Sequence, residues 1–176
     1  MKIKTVIAIC KKDRRIALFD GGGRQWVGTG AAMYPLLDAP YFDKESLCAT
    51  YDIDDAAREK ILFTNDAPLP LNFETNDHSE SEAKCDTMTI CYYGDILRPV
   101  HTEQGIMLIN ERYLSPFAGD DTDIYVRYTE SGGAYFAVKR GFMLYGIIMP
   151  VMITESFAED IKSLAREIEV KFENDR

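Results

Sequence analysis

Cys91, Asp95 and His101 lie within eleven residues of one another and supply a thiol, a carboxylate and an imidazole. A cysteine nucleophile needs a base within hydrogen-bond reach and a lowered thiol pKa, with an acid to orient the base. These three residues are the one set from which such a thiol-dependent hydrolase is assembled here. The pair Gly94-Asp95 is placed to turn the chain so that His101 returns toward Cys91. The competing reading is a strand cysteine that packs and does no chemistry.

Asp120, Asp121 and Asp123 crowd three carboxylates into four positions after Gly119, a pattern that suits a hard cation. No glutamate closes a twelve-residue loop behind them, and Asp at a strand entry also serves local turns. No metal is therefore expected. The stretch Gly21 to Gly30, Gly-Gly-Gly-Arg-Gln-Trp-Val-Gly-Thr-Gly, raises the question of a phosphate cradle. A cradle needs a helix after the glycines, whereas Trp26 and Val27 read as strand. A turn followed by a strand with closely packed glycines is expected, and no cofactor. Trp26, Tyr34 and Tyr41 either line a groove or fill the core, and core is the expectation.

Cys10, Cys48, Cys85 and Cys91 have no knuckle spacing, and only His78 and His101 accompany them, so zinc is not expected. Together with an N-terminus that lacks an export signal, free thiols in a cytoplasmic, soluble protein are the expectation. The longest apolar run, residues 142–153, is too short for a membrane span.

The elements that must position these residues follow mostly a period of two. Residues 47–53, 88–92 and 124–129 alternate and read as half-buried strands. Residues 5–10 are apolar on both faces and predict a central strand; with 15–20 and the basic turn Lys11-Lys12-Asp13-Arg14-Arg15 they predict a hairpin over 3–20. Residues 122–153 predict a three-stranded meander with turns at Ser131-Gly132-Gly133 and Arg140-Gly141. A short helix is expected from Asp54 or Asp55 to about Leu62. Ser156 with Glu159 reads as a capping box opening an amphipathic helix along Phe157, Ile161, Leu164, Ile168 and Phe172. Residues 65–87, rich in acid and without a period, predict a long mobile loop between two β-rich halves, 1–64 and 88–176. Offsets of 75–79 residues between the halves suggest a degenerate duplication. The fold class expected is α+β: a single domain with a mainly antiparallel sheet and a C-terminal helix packed on it.

Charge narrows the function. The chain carries a net charge of −9, divided as +1 over residues 1–64, −5 over 65–87 and −5 over 88–176. General nucleic-acid binding relies on clustered Lys and Arg, so direct binding to nucleic acid is not expected.

The segment Leu144-Tyr145-Gly146-Ile147-Ile148-Met149-Pro150-Val151 resembles the closing strand of bacterial DNA sliding clamps. Tyr113-Leu114 ahead of Asp123-Ile124-Tyr125-Val126 adds to the likeness, as do the acidic composition and the suggested duplication. The resemblance implies a DNA-processing accessory protein that assembles into a ring-sized oligomer, and it transfers no residue. The leading expectation is a non-enzymatic binding or regulatory module of bacterial or phage type, acting through a protein partner or self-association. The sliding-clamp-like accessory and the Cys91/His101 hydrolase stand as alternatives.

Overall fold

The structure, a computed structural model, describes residues 1–67 and 70–163. It is an α+β fold with one large, mostly antiparallel sheet of eleven strands and few helices. In chain order these are α1 (Ile3–Asp13), β1 (Arg15–Gly21), β2 (Arg24–Gly28), β3 (Ala32–Pro35), α2 (Lys44–Thr50), α3 (Asp55–Arg58), β4 (Leu62–Thr64), β5 (Ser81–Cys85) and β6 (Ile90–Tyr92). They continue with β7 (Asp95–Thr102), β8 (Gly105–Asn110), β9 (Asp123–Tyr128), β10 (Ala134–Arg140) and β11 (Met143–Ile148), then the C-terminal helix α4 over 155–163. Two short 3-10 turns, Glu111–Tyr113 and Ser115–Phe117, join β8 to β9.

The strand order is β4-β1-β2-β3-β11-β10-β9-β5-β7-β6, with β8 on the other edge of β7. Among the described strands only β4 and β1 run parallel. The pairing of β3 with β11 joins the two halves of the chain into one sheet. Residues on successive positions of the central strands go to opposite faces, and both faces are buried. Ile16, Leu18, Phe136 and Val138 enter the larger core beneath α1 and α2. Ala17, Phe19, Tyr135 and Ala137 enter the second, which Leu71 and Phe73 of the 70–80 segment help to cover.

The expected hairpin over 3–20 is a helix followed by a strand. Residues 5–10 are apolar in a helical arrangement, with Val6, Ile7, Ile9 and Cys10 buried and Lys4 and Ala8 exposed. Their β-branched side chains mimic a strand, but a helix lets one stripe seal the larger core. Lys11, Lys12 and Asp13 are its last turn and Arg14, at φ 53, is its left-handed cap rather than part of a hairpin turn. Residues 47–50 are likewise helical. Asp43 accepts from the Ser46 amide while Ser46 Oγ accepts from the Asp43 amide, a reciprocal cap that starts α2 and overrides the period of two. The suggested duplication therefore sets a helix, α2, against a strand, β9.

The meander is present as β9, β10 and β11; Asp54 caps α3 as expected, but the helix ends at Arg58 and Leu62, expected near its end, opens β4. Helix α4 is capped not at Ser156 but by Thr154, whose Oγ1 accepts from the Phe157 amide at 3.3 Å. Phe157 stacks on Tyr92 with ring centroids 4.1 Å apart, so α4 lies on the β6–β7 part of the sheet. The continuation of its stripe at Leu164, Ile168 and Phe172 lies outside the described residues. Among those residues no helix is long and apolar enough to cross a membrane.

Candidate functional site

The structure does not bring Cys91, Asp95 and His101 together. Cys91 pairs with Ile96 across β6–β7, whereas His101 sits near the far end of β7 opposite Lys84 and Ile106. Five residue steps along the strand separate His101 from Ile96, roughly 17 Å along the backbone. His101 Nε2 instead meets Asp86 Oδ2 at 3.1 Å, and the Asp95 carboxylate approaches Arg112 at 3.9 Å. The Asp86 carboxyl is held below its ordinary value by the Met88 amide and by His101. Among the described residues no base is hydrogen-bonded to the Cys91 thiol, and His101 and Asp95 are engaged elsewhere.

Asp120 is tied up as well. Its Oδ2 accepts from the N-terminal ammonium of Met1 at 2.6 Å, and Oδ1 lies 3.7 Å from Arg140. The ammonium bond, outweighing desolvation, holds its carboxyl low. Asp121 and Asp123 are exposed. Among the described residues no group of three or more His, Cys, Asp or Glu side chains is arranged around a metal position.

The Gly21–Gly30 segment is a turn and a strand. Gly22 and Gly23, at φ 55 and 73, form the two-residue loop of the β1–β2 hairpin. A side chain at Gly28 would strike the Ala32 carbonyl oxygen at 2.0 Å, so this glycine permits close packing of β2 on β3. Trp26 and Tyr34 are fully buried, on opposite faces of the sheet; Tyr41 is exposed and donates to Asp20.

Two features were not evident in the pattern of the sequence. The first is Arg127, a fully buried arginine on β9. Its Nε donates to Glu80 Oε2 at 2.7 Å, and its other nitrogens donate to the backbone carbonyls of Asn72, Glu74 and Thr75. Glu80 Oε1 also accepts from Lys139 at 2.7 Å. Five guanidinium donors in a planar fork suit such a set of acceptors. This network straps residues 72–80 across the sheet, and Phe73 then packs edge-on against Phe19 and Trp26 at 5.1 and 5.0 Å. The expected mobile loop over 65–87 is thus an ordered strap at 70–80 followed by β5, which pairs with both β9 and β7. Asp77 caps the strap's bend by accepting from Ser79 and Asn72. Desolvation opposes its charge, but these bonds and Arg127 outweigh that and keep the carboxyl below its ordinary value.

The second is the β6–β7 hairpin. Its two-residue loop is Tyr93-Gly94, at φ 47 and 84. That turn favours Asn or Gly at its first position, because a side chain at positive φ is crowded by its own backbone. A tyrosine there is a strained choice, and its side chain is 94% exposed. Nearby in the chain Met88 and Ile96 are 57% and 52% exposed, and Cys91 is exposed beside Ile96. Only Tyr92 touches the Tyr93 ring among the aromatic contacts of the described residues, at 4.6 Å. A run of positive-φ turn residues in a sequence gives no such warning; the signal was a tyrosine before glycine between two short apolar alternations.

Compared with protein-family models, with curated proteins and with solved structures, the chain has no match.

Proposed function

We propose that the protein is a non-enzymatic binding module that recognises a protein partner through the tip of the β6–β7 hairpin. The observation that carries this reading is Tyr93: a large aromatic side chain held at φ 47 and left 94% exposed. Strain of this kind costs of order 1–2 kcal/mol per residue and persists in sequences where the side chain does something outside the fold. Tyr is also among the residues enriched at protein interfaces, since it offers a rigid apolar body with a polar end. Ile96, two positions past the turn and paired with Cys91, adds a second exposed apolar side chain close to the tip in the chain.

The test uses the full chain, immobilised, as bait for proteins of its native cell extract. Wild type and a Cys91→Ser/His101→Ala variant are expected to retain the same stoichiometric partner, and Tyr93→Asn/Ile96→Thr to lose it. Loss of that partner on changing Cys91 or His101 would assign the function to their chemistry and overturn the reading.

A further inference from the structure

With residues 3–13 helical, the solvent side of α1 is formed by Lys4, Ala8, Lys11 and Lys12, while its one acid, Asp13, points inward to Arg112 and Tyr113. Arg14 at the cap and Lys60 beyond α3 continue the same edge, since both line one groove with Lys11. Among the described residues no carboxylate comes within 4 Å of Lys4, Lys11, Lys12, Arg14 or Lys60. Elsewhere Arg58, Arg98, Arg112, Arg127, Lys139 and Arg140 are paired with acids, while Lys2, Arg15, Arg24, Lys44 and Lys84 also form no ion pair among the described residues; the α1 edge differs from these in gathering Lys11, Arg14 and Lys60 around one groove. A chain with a net charge of −9 thus keeps an edge where bases outnumber acids and make no ion pair among the described residues.

Two shallow grooves flank it. One, of about 230 Å³, places Ile7, Ala8 and Tyr51 between Lys4 and Lys11; the other, of about 310 Å³, places Ala56, Ala57 and Ile61 among Lys11, Arg14 and Lys60. Asp52 and Asp54 also line them; the Asp54 carboxylate caps the Ala57 amide and Lys11 donates to the Tyr51 and Asp52 backbone carbonyls, so four lining bases, Lys4, Lys11, Arg14 and Lys60, face two carboxylates.

The geometry points to this edge as the docking site for an acidic, amphipathic segment of a partner protein. Charge complementarity selects an acidic occupant. The apolar floors of the grooves select one with interspersed aliphatic side chains rather than a bare phosphate backbone. A long polyanion would also meet the acidic remainder of the molecule. A membrane surface is disfavoured because the apolar stripe of α1 is spent in the core, leaving only Ala8 among the lysines. This deepens the reading of the protein as a binding module and rests on residues other than Tyr93, although Arg112, which meets both Asp13 and Asp95, links the end of α1 to the base of the β6–β7 turn.

The probe is a short fluorescein-labelled peptide of repeating Glu-Glu-Leu, followed by anisotropy. Binding is expected, weakening steeply between about 50 and 300 mM salt. Lys4→Glu/Lys12→Glu is expected to weaken it about tenfold or more, with the helical circular dichroism retained. Lys60→Glu is expected to weaken it on the other element, so a folding defect in the first variant leaves the test intact. Tyr93→Asn is expected to leave this peptide bound, which separates failure here from failure at the hairpin. No binding, binding unaffected by the charge reversals, or equal or tighter binding of a Glu-Glu-Ser peptide or an oligonucleotide of equal charge would overturn the inference.

Discussion

Tyr93 and Arg127 show opposite uses of a costly residue. Arg127 is buried without exposure, and its charge is tolerated because every direction of the guanidinium meets an acceptor from the strap or Glu80. Removing it leaves three carbonyls and the shared carboxylate short of donors. Arg127→Met is therefore expected to cost about 3–5 kcal/mol, read as a lowered midpoint in urea unfolding. Tyr93 makes no comparable contact, and its backbone prefers another residue. Tyr93→Asn, which yields Asn-Gly in the turn, is expected to raise stability by about 0.5–1 kcal/mol in the same assay while abolishing partner binding. A drop in stability would show that the tyrosine serves the fold instead. The thiols divide in the same way: burial, then the nearby Asp13 charge, pushes the Cys10 thiol up to about 12, whereas Cys91 is exposed. Alkylation near neutral pH is expected to reach Cys91 first and Cys10 only on unfolding, by mass spectrometry.

Among the elements, those whose residues see one environment were legible. The β9–β10–β11 meander follows from alternation and from glycine-marked turns, and the α3 cap follows from Asp54. Helix α1 was misread because Thr5, Val6, Ile7 and Ile9 favour strand locally, and only the packing of α1 on the sheet decides otherwise. Helix α2 carried a readable signal, Asp43 followed by Ser46, which the alternation of residues 47–53 hid. The strap was illegible for another reason. Its order comes from Arg127, about fifty residues away, and no local period records that. At this scale Phe73→Ala is expected to cost about 2–4 kcal/mol and to change the fluorescence of Trp26, the sole tryptophan, against which Phe73 packs. An unchanged emission spectrum would mean the strap is held without its aromatic contact. The candidate site was barely legible: its apolar residues read as ordinary strand, and the strain at Tyr93 exists only in three dimensions.

For the whole molecule, the acidic balance sets the response to pH. Asp43, Asp77, Asp86 and Asp120 all have carboxyls held below the ordinary aspartate value, by Ser46, by Ser79 and Asn72 against desolvation, by the Met88 amide and His101, and by the N-terminal ammonium respectively. A folded-state pKa below the unfolded one means each contributes stability that is complete above the unfolded value, near pH 4, and is lost as pH falls through the folded value. The urea midpoint is expected to stay level from about pH 6 to 5 and to fall below about pH 4, more gently in Asp77→Asn. The same balance makes the basic edge of α1 stand out, because the remaining surface carries the excess acid. Summed charge argued against polyanions as partners; the fold brings Lys11 and Arg14 together with Lys60 around one groove.

The central claim is that the β6–β7 hairpin tip touches another protein, and a photo-crosslinking side chain at position 93 tests it most directly. A benzoylphenylalanine there keeps the aromatic character of Tyr93, and the same group at Phe142, 91% exposed on the β10–β11 turn, is the control. The account predicts one dominant covalent adduct from position 93 in native extract and none of that mass from position 142. Adducts of equal yield and identity from both positions, or none from position 93, would contradict it.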